Sequence, residues 1–245
     1  MVTSLQYNFN TFSLREMTLC GSTLRKLGDG AKTMEAATTR IVRYLRDSFV
    51  DPNTGQSAIA LARCFKTQPY STLYDPTLQA QARAAAGGQD LAPQTSCLTL
   101  LATAGTEPDW NDRHRSKGHQ AIPLIGQETI QALPMIARLL QQLGIGTEAI
   151  LDPDFMVDLE LHTFNVFHVP EAIASPYIPA QEEFVIPYGI RSVLGFGSVL
   201  PSRQLVTFIL FSTVDIPRST ADQFKTLALN AKFALLPFDG GIMFR

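Results

Sequence analysis

The chain has 245 residues with a formal net charge of −2, and 45% of its residues are hydrophobic against 17% charged. This balance excludes an intrinsically disordered chain, and the near-neutral charge offers no electrostatic basis for general nucleic-acid binding. No apolar run approaches the roughly 20 residues of a membrane-spanning helix, so we expect no membrane insertion.

The cysteines and the N-terminal stretch bear on the cellular compartment of the protein. Cys20, Cys64 and Cys97 are odd in number and widely spaced, which does not suit a disulfide framework and fits a reducing environment. The N-terminal stretch MVTSLQYNFN has neither a basic start nor an apolar core, so we expect no signal peptide. These features predict a cytoplasmic protein.

Two helices are predicted near the N-terminus. Ser13 and Glu16 have the spacing of a capping box, which predicts a helix over 13–27. A second helix is predicted over 33–49, because apolar residues recur there at helical spacing.

The middle of the chain alternates predicted strands and helices. Short apolar runs predict strands at 57–65 and 96–104, and an alanine-rich stretch predicts a helix at 77–86 between them. A longer amphipathic pattern predicts a helix at 127–143, which Pro134 should kink or restart.

The last third is richer in strand patterns. The segment 158–169 alternates weakly, the proline-rich segment 170–187 should be largely loop, and 192–200 with 205–212 forms a predicted hairpin. A second capping box at 220–223 should open the closing helix. The hairpin connection is too short for a parallel crossover, so we favour an α+β fold over a parallel α/β sheet.

The C-terminal stretch FVIPYGIRSVLGFGSVLPSRQLVTFILFSTVDIPRSTADQFKTLALNAKFALL, residues 184–236, resembles the second half of a GAF domain. More narrowly, residues 164–197 resemble GAF-type sensory segments found ahead of bacterial histidine kinases. The resemblance implies one GAF-like domain over 1–245, with an insertion around 127–154 that enlarges the family pattern. It also implies a central antiparallel sheet of about six strands, with the N- and C-terminal helices packed on one face. A pocket for a small molecule or chromophore is implied on the other face.

The sequence carries little that points to catalysis or metal binding. It has neither a Gly-x-Ser-x-Gly elbow nor a phosphate-binding glycine loop. Glu160, His162 and His168 would share one face of a strand, but zinc usually takes three or four ligands and no second cluster is present. We therefore predict no catalytic residue, no metal site and no enzyme activity.

The sequence also bears on two further classes of ligand, anions and covalently attached bilins. The basic run 113–119 could hold an anion or a partner, although a solvated loop balanced by nearby carboxylates is the favoured interpretation. Some GAF-type proteins attach a bilin through a cysteine, often beside a histidine. None of the three cysteines has an adjacent histidine, so no covalent bilin is expected, whereas non-covalent binding stays open.

Candidate ligand-binding residues come from the proline-rich segment, which combines apolar walls with a few polar groups. They are His168, Glu171, Tyr177, Phe184, Tyr188 and Arg191. The alternative is that Glu171 and Arg191 form an ion pair and that the prolines only fix a long loop.

The terminal helices carry apolar seams at near-heptad spacing. Packing within one chain explains both seams, but in GAF-like sensors such helices often pair in a dimer, so we expect a homodimer. The residues of this predicted seam are Leu14, Met17, Gly21, Leu24, Phe224, Leu227, Ala231 and Leu235.

These observations lead to one functional hypothesis and one alternative. The hypothesis is a non-catalytic sensory or regulatory module of bacterial signal transduction that binds a small ligand or a protein partner. No kinase, cyclase or DNA-binding region follows the last helix in this sequence, so a signalling protein such as a histidine kinase would act in cis from a longer chain or in trans. The alternative is a scaffold subunit that keeps the GAF fold without sensing a ligand.

Overall fold

The computed structural model describes residues 5–116, 119–152 and 165–244, and within them six antiparallel strands form one sheet. The spatial order is β3-β2-β1-β6-β5-β4. The strands are β1 (Ile59–Pro69), β2 (Ser96–Gly105), β3 (Ala121–Leu124), β4 (Phe167–Val169), β5 (Ser192–Val199) and β6 (Leu205–Ser212).

The predicted hairpin is confirmed, and it fixes the fold class. β5 and β6 pair in antiparallel register from Ser192 opposite Ser212 to Val199 opposite Leu205. β1 lies at the centre and pairs antiparallel with both β2 and β6. The architecture is therefore the expected α+β arrangement around an antiparallel sheet of six strands, and the parallel alternative is wrong.

One face of the sheet is covered by the terminal helices, as expected. These are α1 (Leu14–Lys26), α2 (Met34–Ser48) and α7 (Arg218–Leu235), and α3 (Pro76–Ala85) covers the β3 end of the same sheet. The capping box of α1 is present, since the amide of Glu16 donates to Ser13 Oγ and the amide of Ser13 donates to Glu16 Oε2.

The second predicted capping box is wrong. α7 begins earlier, at Arg218, directly after the extended residue Pro217. Thr220 therefore lies inside the first turn instead of at the N-cap, and its buried hydroxyl donates to the carbonyl of Phe9 at 2.7 Å. The backbone geometry of Pro217 thus decides where this helix starts.

The second face is covered by the segment predicted as an insertion. It forms α4 (Gln127–Gln131), α5 (Pro134–Leu143) and α6 (Thr147–Leu151), so the single helix predicted for 127–143 is two helices. Pro134 occupies the first turn of α5, where its missing amide proton costs nothing. A Leu139 methyl of α5 reaches the sheet at Gly195, so helices lie on both faces.

The residues of the predicted dimer seam pack mostly within this chain. Leu24 and four residues of α7 are at most 1% exposed, and they join α1 to α7 over the sheet: Phe224, Leu227, Ala231 and Leu235. Met17 packs against the same core, and Gly21 adjoins Asn230 of α7. Leu14 is 71% exposed. Except at Leu14, the residues predicted for a dimer seam therefore make contacts within one chain. Self-association stays a prediction.

Candidate functional site

The structure does not gather the six predicted ligand residues in one pocket. His168 lies in the core, Glu171 and Arg191 lie on the surface, Phe184 and Tyr188 join one aromatic cluster, and Tyr177 lines a separate cleft. The segment that carries most of them is loop-like, as predicted, except for one π-helical turn at Gln181–Val185.

His168 is a structural link between three elements. It lies on β4 at 7% exposure, its Nε2–H donates to the carbonyl of Ile216 at 3.0 Å, and its amide donates to Gln142 Oε1 of α5 at 2.7 Å. Burial lowers the pKa of the imidazole, and the bond to Ile216 opposes that shift only in part. His168 therefore ties β4 to α5 through its backbone amide and to the segment before α7 through its ring.

Arg191 forms a surface ion pair with a partner that the sequence did not suggest. Its Nε and Nη2 bind the two carboxylate oxygens of Asp215 at 3.0 and 2.6 Å. The predicted alternative, an ion pair between Arg191 and Glu171, is wrong, because the Nε and Nη2 donors of Arg191 both bind Asp215. Since both partners are exposed, this pair contributes little to stability.

Phe184 and Tyr188 pack with an aromatic side chain that the sequence reading missed. The ring of Trp110 lies 4.5 Å from Tyr188 and 5.5 Å from Phe184, and Phe184 meets Phe211 of β6 edge-on at 5.1 Å. Gly105 leaves the space for Trp110, because a Cβ there would lie 2.7 Å from the indole ring. The sequence feature that could have indicated this cluster is the single tryptophan of the chain, which lies in an otherwise polar loop.

A cleft of about 640 Å³ lies along α5, opposite the turn that carries Tyr177. This volume is within the usual range for small-molecule sites. The lining combines apolar walls with donors and acceptors: Gln131, Pro134, Ala137, Arg138, Leu140, Gln141, Ile145, Thr147, Pro176 and Tyr177. Of the predicted ligand residues, the cleft contains Tyr177.

Arg138 is the chemically distinctive group of this cleft. Its guanidinium lies 4.8 Å from the centre of the Tyr177 ring, and its Nη1 donates to Gln141 Oε1 at 2.7 Å. Its Nε is buried and has no hydrogen-bond partner within the described ranges. The cleft is therefore lined by the positively charged Arg138 side chain, which has an unused hydrogen-bond donor and lies beside an aromatic ring.

The basic run 113–119 divides into residues with different surroundings. Arg115 is exposed and pairs with Asp109, as expected of a solvated loop. Arg113 is instead buried, with its Nε 2.6 Å from Glu35 and its guanidinium 4.1 Å from the centre of the Phe244 ring. Arg113 thereby attaches this loop to α2 and to the C-terminal segment.

The three cysteine side chains are free and buried. Burial raises the pKa of Cys20 and of Cys97 to about 12, and it raises that of Cys64 as well. At neutral pH these thiols stay protonated, which disfavours nucleophilic attachment of a chromophore. Across the parts of the chain that the structure describes, no three potential metal ligands cluster; Glu160 and His162 lie outside those parts.

No protein-family model matches the chain, and no curated protein sequence matches it. Among solved structures, the chain is similar to the chromophore-binding domain of an unusual bacteriophytochrome from R. palustris, at 8% sequence identity and a TM-score of 0.45. The match covers 93% of this chain, which spans 64% of that structure's length. No helix within the described ranges has both the length and the apolar character needed to cross a membrane.

Proposed function

We propose that this chain is a non-catalytic sensory or regulatory module that binds a small organic ligand in the cleft along α5. The observation that carries the proposal is the cleft itself. There the buried Nε of Arg138 has no acceptor from the described part of the chain, while the guanidinium lies over Tyr177. A ligand with an acceptor group would supply the missing partner, and its apolar part would pack on Leu140 and Ile145.

A short series of contacts connects this cleft to the closing helix. Gln141 lines the cleft, and its neighbour Gln142 accepts the amide proton of His168. His168 in turn donates to Ile216, two residues before α7 begins. A ligand that moves α5 would therefore bias the position of α7. In this proposal the cleft is the input of a regulatory module and α7 is its output.

α7 also presents the surface through which such a change would be read. Leu229 and Phe233 are each 46% exposed, one turn apart on the outer side of the helix, and Arg25 of α1 lies 4.8 Å from the Phe233 ring centre. We propose that this outer face pairs with a second copy of the chain, and that a signalling partner such as a histidine kinase responds to the pairing. The free, buried cysteines are in keeping with a cytoplasmic setting.

The experiment is native mass spectrometry of the protein isolated under mild conditions from the cells that produce it naturally. We expect a mass excess equal to one small organic molecule in the wild type. Gln141→Trp should abolish it, because the exposed Gln141 lines the cleft and an indole there would fill the space. The matched control is Gln89→Trp, which places the same side chain at an exposed position after α3.

An unmodified mass in the wild type would contradict the ligand proposal and favour the scaffold alternative. An adduct that persists in Gln141→Trp would place the ligand elsewhere on the protein. After removal of the ligand both variants should have the same thermal midpoint, which shows that any loss of ligand is local.

A further inference from the structure

A second arginine with unused donors lies at the centre of the sheet, apart from the cleft. Arg63 is on β1, the central strand, opposite Thr103 of β2 and Ile209 of β6. Its strand neighbours Leu61 and Phe65 both belong to the core of the second face, so Arg63 points to that face too. The central strand thus carries a half-buried arginine between two apolar neighbours on the same face.

The charge of Arg63 has no counterpart among the residues that the structure describes. Its Nη2 donates to Ser116 Oγ at 3.2 Å, and its Nε is buried with no hydrogen-bond partner in residues 5–116, 119–152 and 165–244. Desolvation lowers the pKa of the guanidinium to about 10, and no carboxylate of the described segments opposes that shift. The Arg63 side chain is half-buried, and a desolvated cation without an opposite charge costs stability, so the site favours an anionic partner.

Arg113 is an arginine of the same chain whose guanidinium does have partners within the protein. It is buried more deeply than Arg63, its Nε meets the Glu35 carboxylate at 2.6 Å, and its guanidinium stacks on Phe244. Arg63 has neither a carboxylate nor a stacked ring within the described ranges. The contrast indicates that the partner of Arg63 is not supplied by these parts of the protein.

We propose that Arg63 and Ser116 form a binding site for the acid group of an anionic small molecule, a carboxylate or a phosphate. A guanidinium edge matches two oxygens of such a group, and the spare Nε is one of the donors that this geometry uses. The Ser116 hydroxyl accepts from Arg63 and keeps its own proton to donate to the anion. This site is distinct from the α5 cleft and does not depend on the function proposed for it.

The loop that carries Ser116 also carries the natural reporter of such binding. Trp110 is the single tryptophan of the chain, and its carbonyl accepts the Thr103 hydroxyl at 2.9 Å. Thr103 lies directly opposite Arg63 in the sheet. An anion seated on Arg63 and Ser116 should therefore change the fluorescence of Trp110 as well as the thermal midpoint.

The test titrates the full chain with inorganic phosphate and, separately, with acetate, at constant ionic strength balanced with chloride. We expect one of these anions to raise the midpoint saturably, by roughly 3–6 °C at ten times its dissociation constant, with a parallel change in Trp110 fluorescence. Arg63→Met should remove both responses. Arg15→Gln is the matched control, because Arg15 is an exposed α1 arginine and its loss removes one positive charge as well.

Equal responses in wild type and Arg63→Met would show a general salt effect and overturn the proposal, as would the absence of any saturable response in the wild type. If Arg63→Met does not fold, Arg63→Lys keeps the charge but loses the paired donors, and we expect at least a tenfold weaker response. A second readout is the Arg63 Nε–H signal in nitrogen-15 spectra of the wild type, assigned from its loss in Arg63→Lys. This signal must shift with the anion, and an unchanged signal would also overturn the proposal.

Discussion

The main chain at Gly28 lies directly against the carbonyl of Ala234: a Cβ at Gly28 would stand 2.2 Å from that oxygen. This contact lies where the end of α1 packs against the end of α7. The obstructing atom belongs to the backbone, so no side-chain rotation can relieve the clash. We predict that Gly28→Ala lowers the free energy of unfolding by about 1–3 kcal/mol, measured by urea denaturation, because the methyl group forces the backbones apart.

The control for this substitution is Gly241→Ala, whose Cβ would find only ordinary contacts at 3.4 Å or more. Gly21→Ala should fall between the two, since the group it meets is the side chain of Asn230, at 2.7 Å. Equal stability of Gly28→Ala and Gly241→Ala would contradict the described α1–α7 contact.

His168 should make the stability of the protein sensitive to mildly acidic pH. The pKa of the buried imidazole is lowered relative to the unfolded chain, so the unfolded state binds the proton first as the pH falls. Stability should therefore decrease as the pH drops through about 6.5, the unfolded value, and this loss should level off below the folded value. The charges nearest the ring act in opposite directions: Arg218 lowers the pKa and Asp222 raises it.

The measurement is the urea midpoint of wild type and His168→Gln between neutral pH and pH 5. Glutamine can still donate to Ile216 but does not titrate, so the difference between the two proteins isolates the histidine from the carboxylates. Parallel pH profiles for the two proteins would show that His168 does not contribute.

Several elements could be predicted because their signals are local. The capping box at Ser13 and the short connection between β5 and β6 depend on residues a few positions apart, and both appear in the structure. The boundary at Pro134 was also visible, although its result, two helices instead of a kinked one, depends on how the second face is covered.

The candidate sites could not be predicted in the same way, because each joins residues that are distant along the chain. Arg138 meets Tyr177 only after α5 folds over the second face, and Arg63 meets Ser116 across 53 positions. In sequence, Arg63 interrupts an apolar strand and gives no hint of its missing partner. Arg191 was a visible candidate, but its choice of Asp215 depends on the arrangement of the loops.

The C-terminal segment is held by Arg113, and this attachment should be measurable. The amides of Met34 and Glu35, at the start of α2, donate to the carbonyls of Ile242 and Met243, and Phe244 stacks on Arg113. We predict that Arg113→Met releases the segment and speeds hydrogen exchange at the two amides by about tenfold, which corresponds to roughly 1.4 kcal/mol.

Arg115→Met is the control for that variant, because Arg115 is in the same loop but is exposed and pairs with two carboxylates of that loop. Its exchange rates at Met34 and Glu35 should equal those of the wild type. Unchanged rates in Arg113→Met would show that the segment is held by its backbone bonds alone.

Self-association through α7 gives a prediction about size in solution. Leu229→Asp combined with Phe233→Asp should turn a concentration-dependent dimer into a monomer in light scattering, because two carboxylates would oppose burial of the outer face. Tyr74→Asp is the control, since Tyr74 is 86% exposed and lies before α3. A wild type that is monomeric at every concentration would remove the dimer from the proposed function.

The central claim is that occupancy of the α5 cleft is transmitted to α7. Hydrogen exchange of the wild type, with its co-purified ligand and after removal of that ligand, tests this claim most directly. The account predicts a change in protection at 134–143, at 166–169 and at 216–224, with little change in α3. A ligand-dependent change confined to α5, or none in any of these segments, would contradict it.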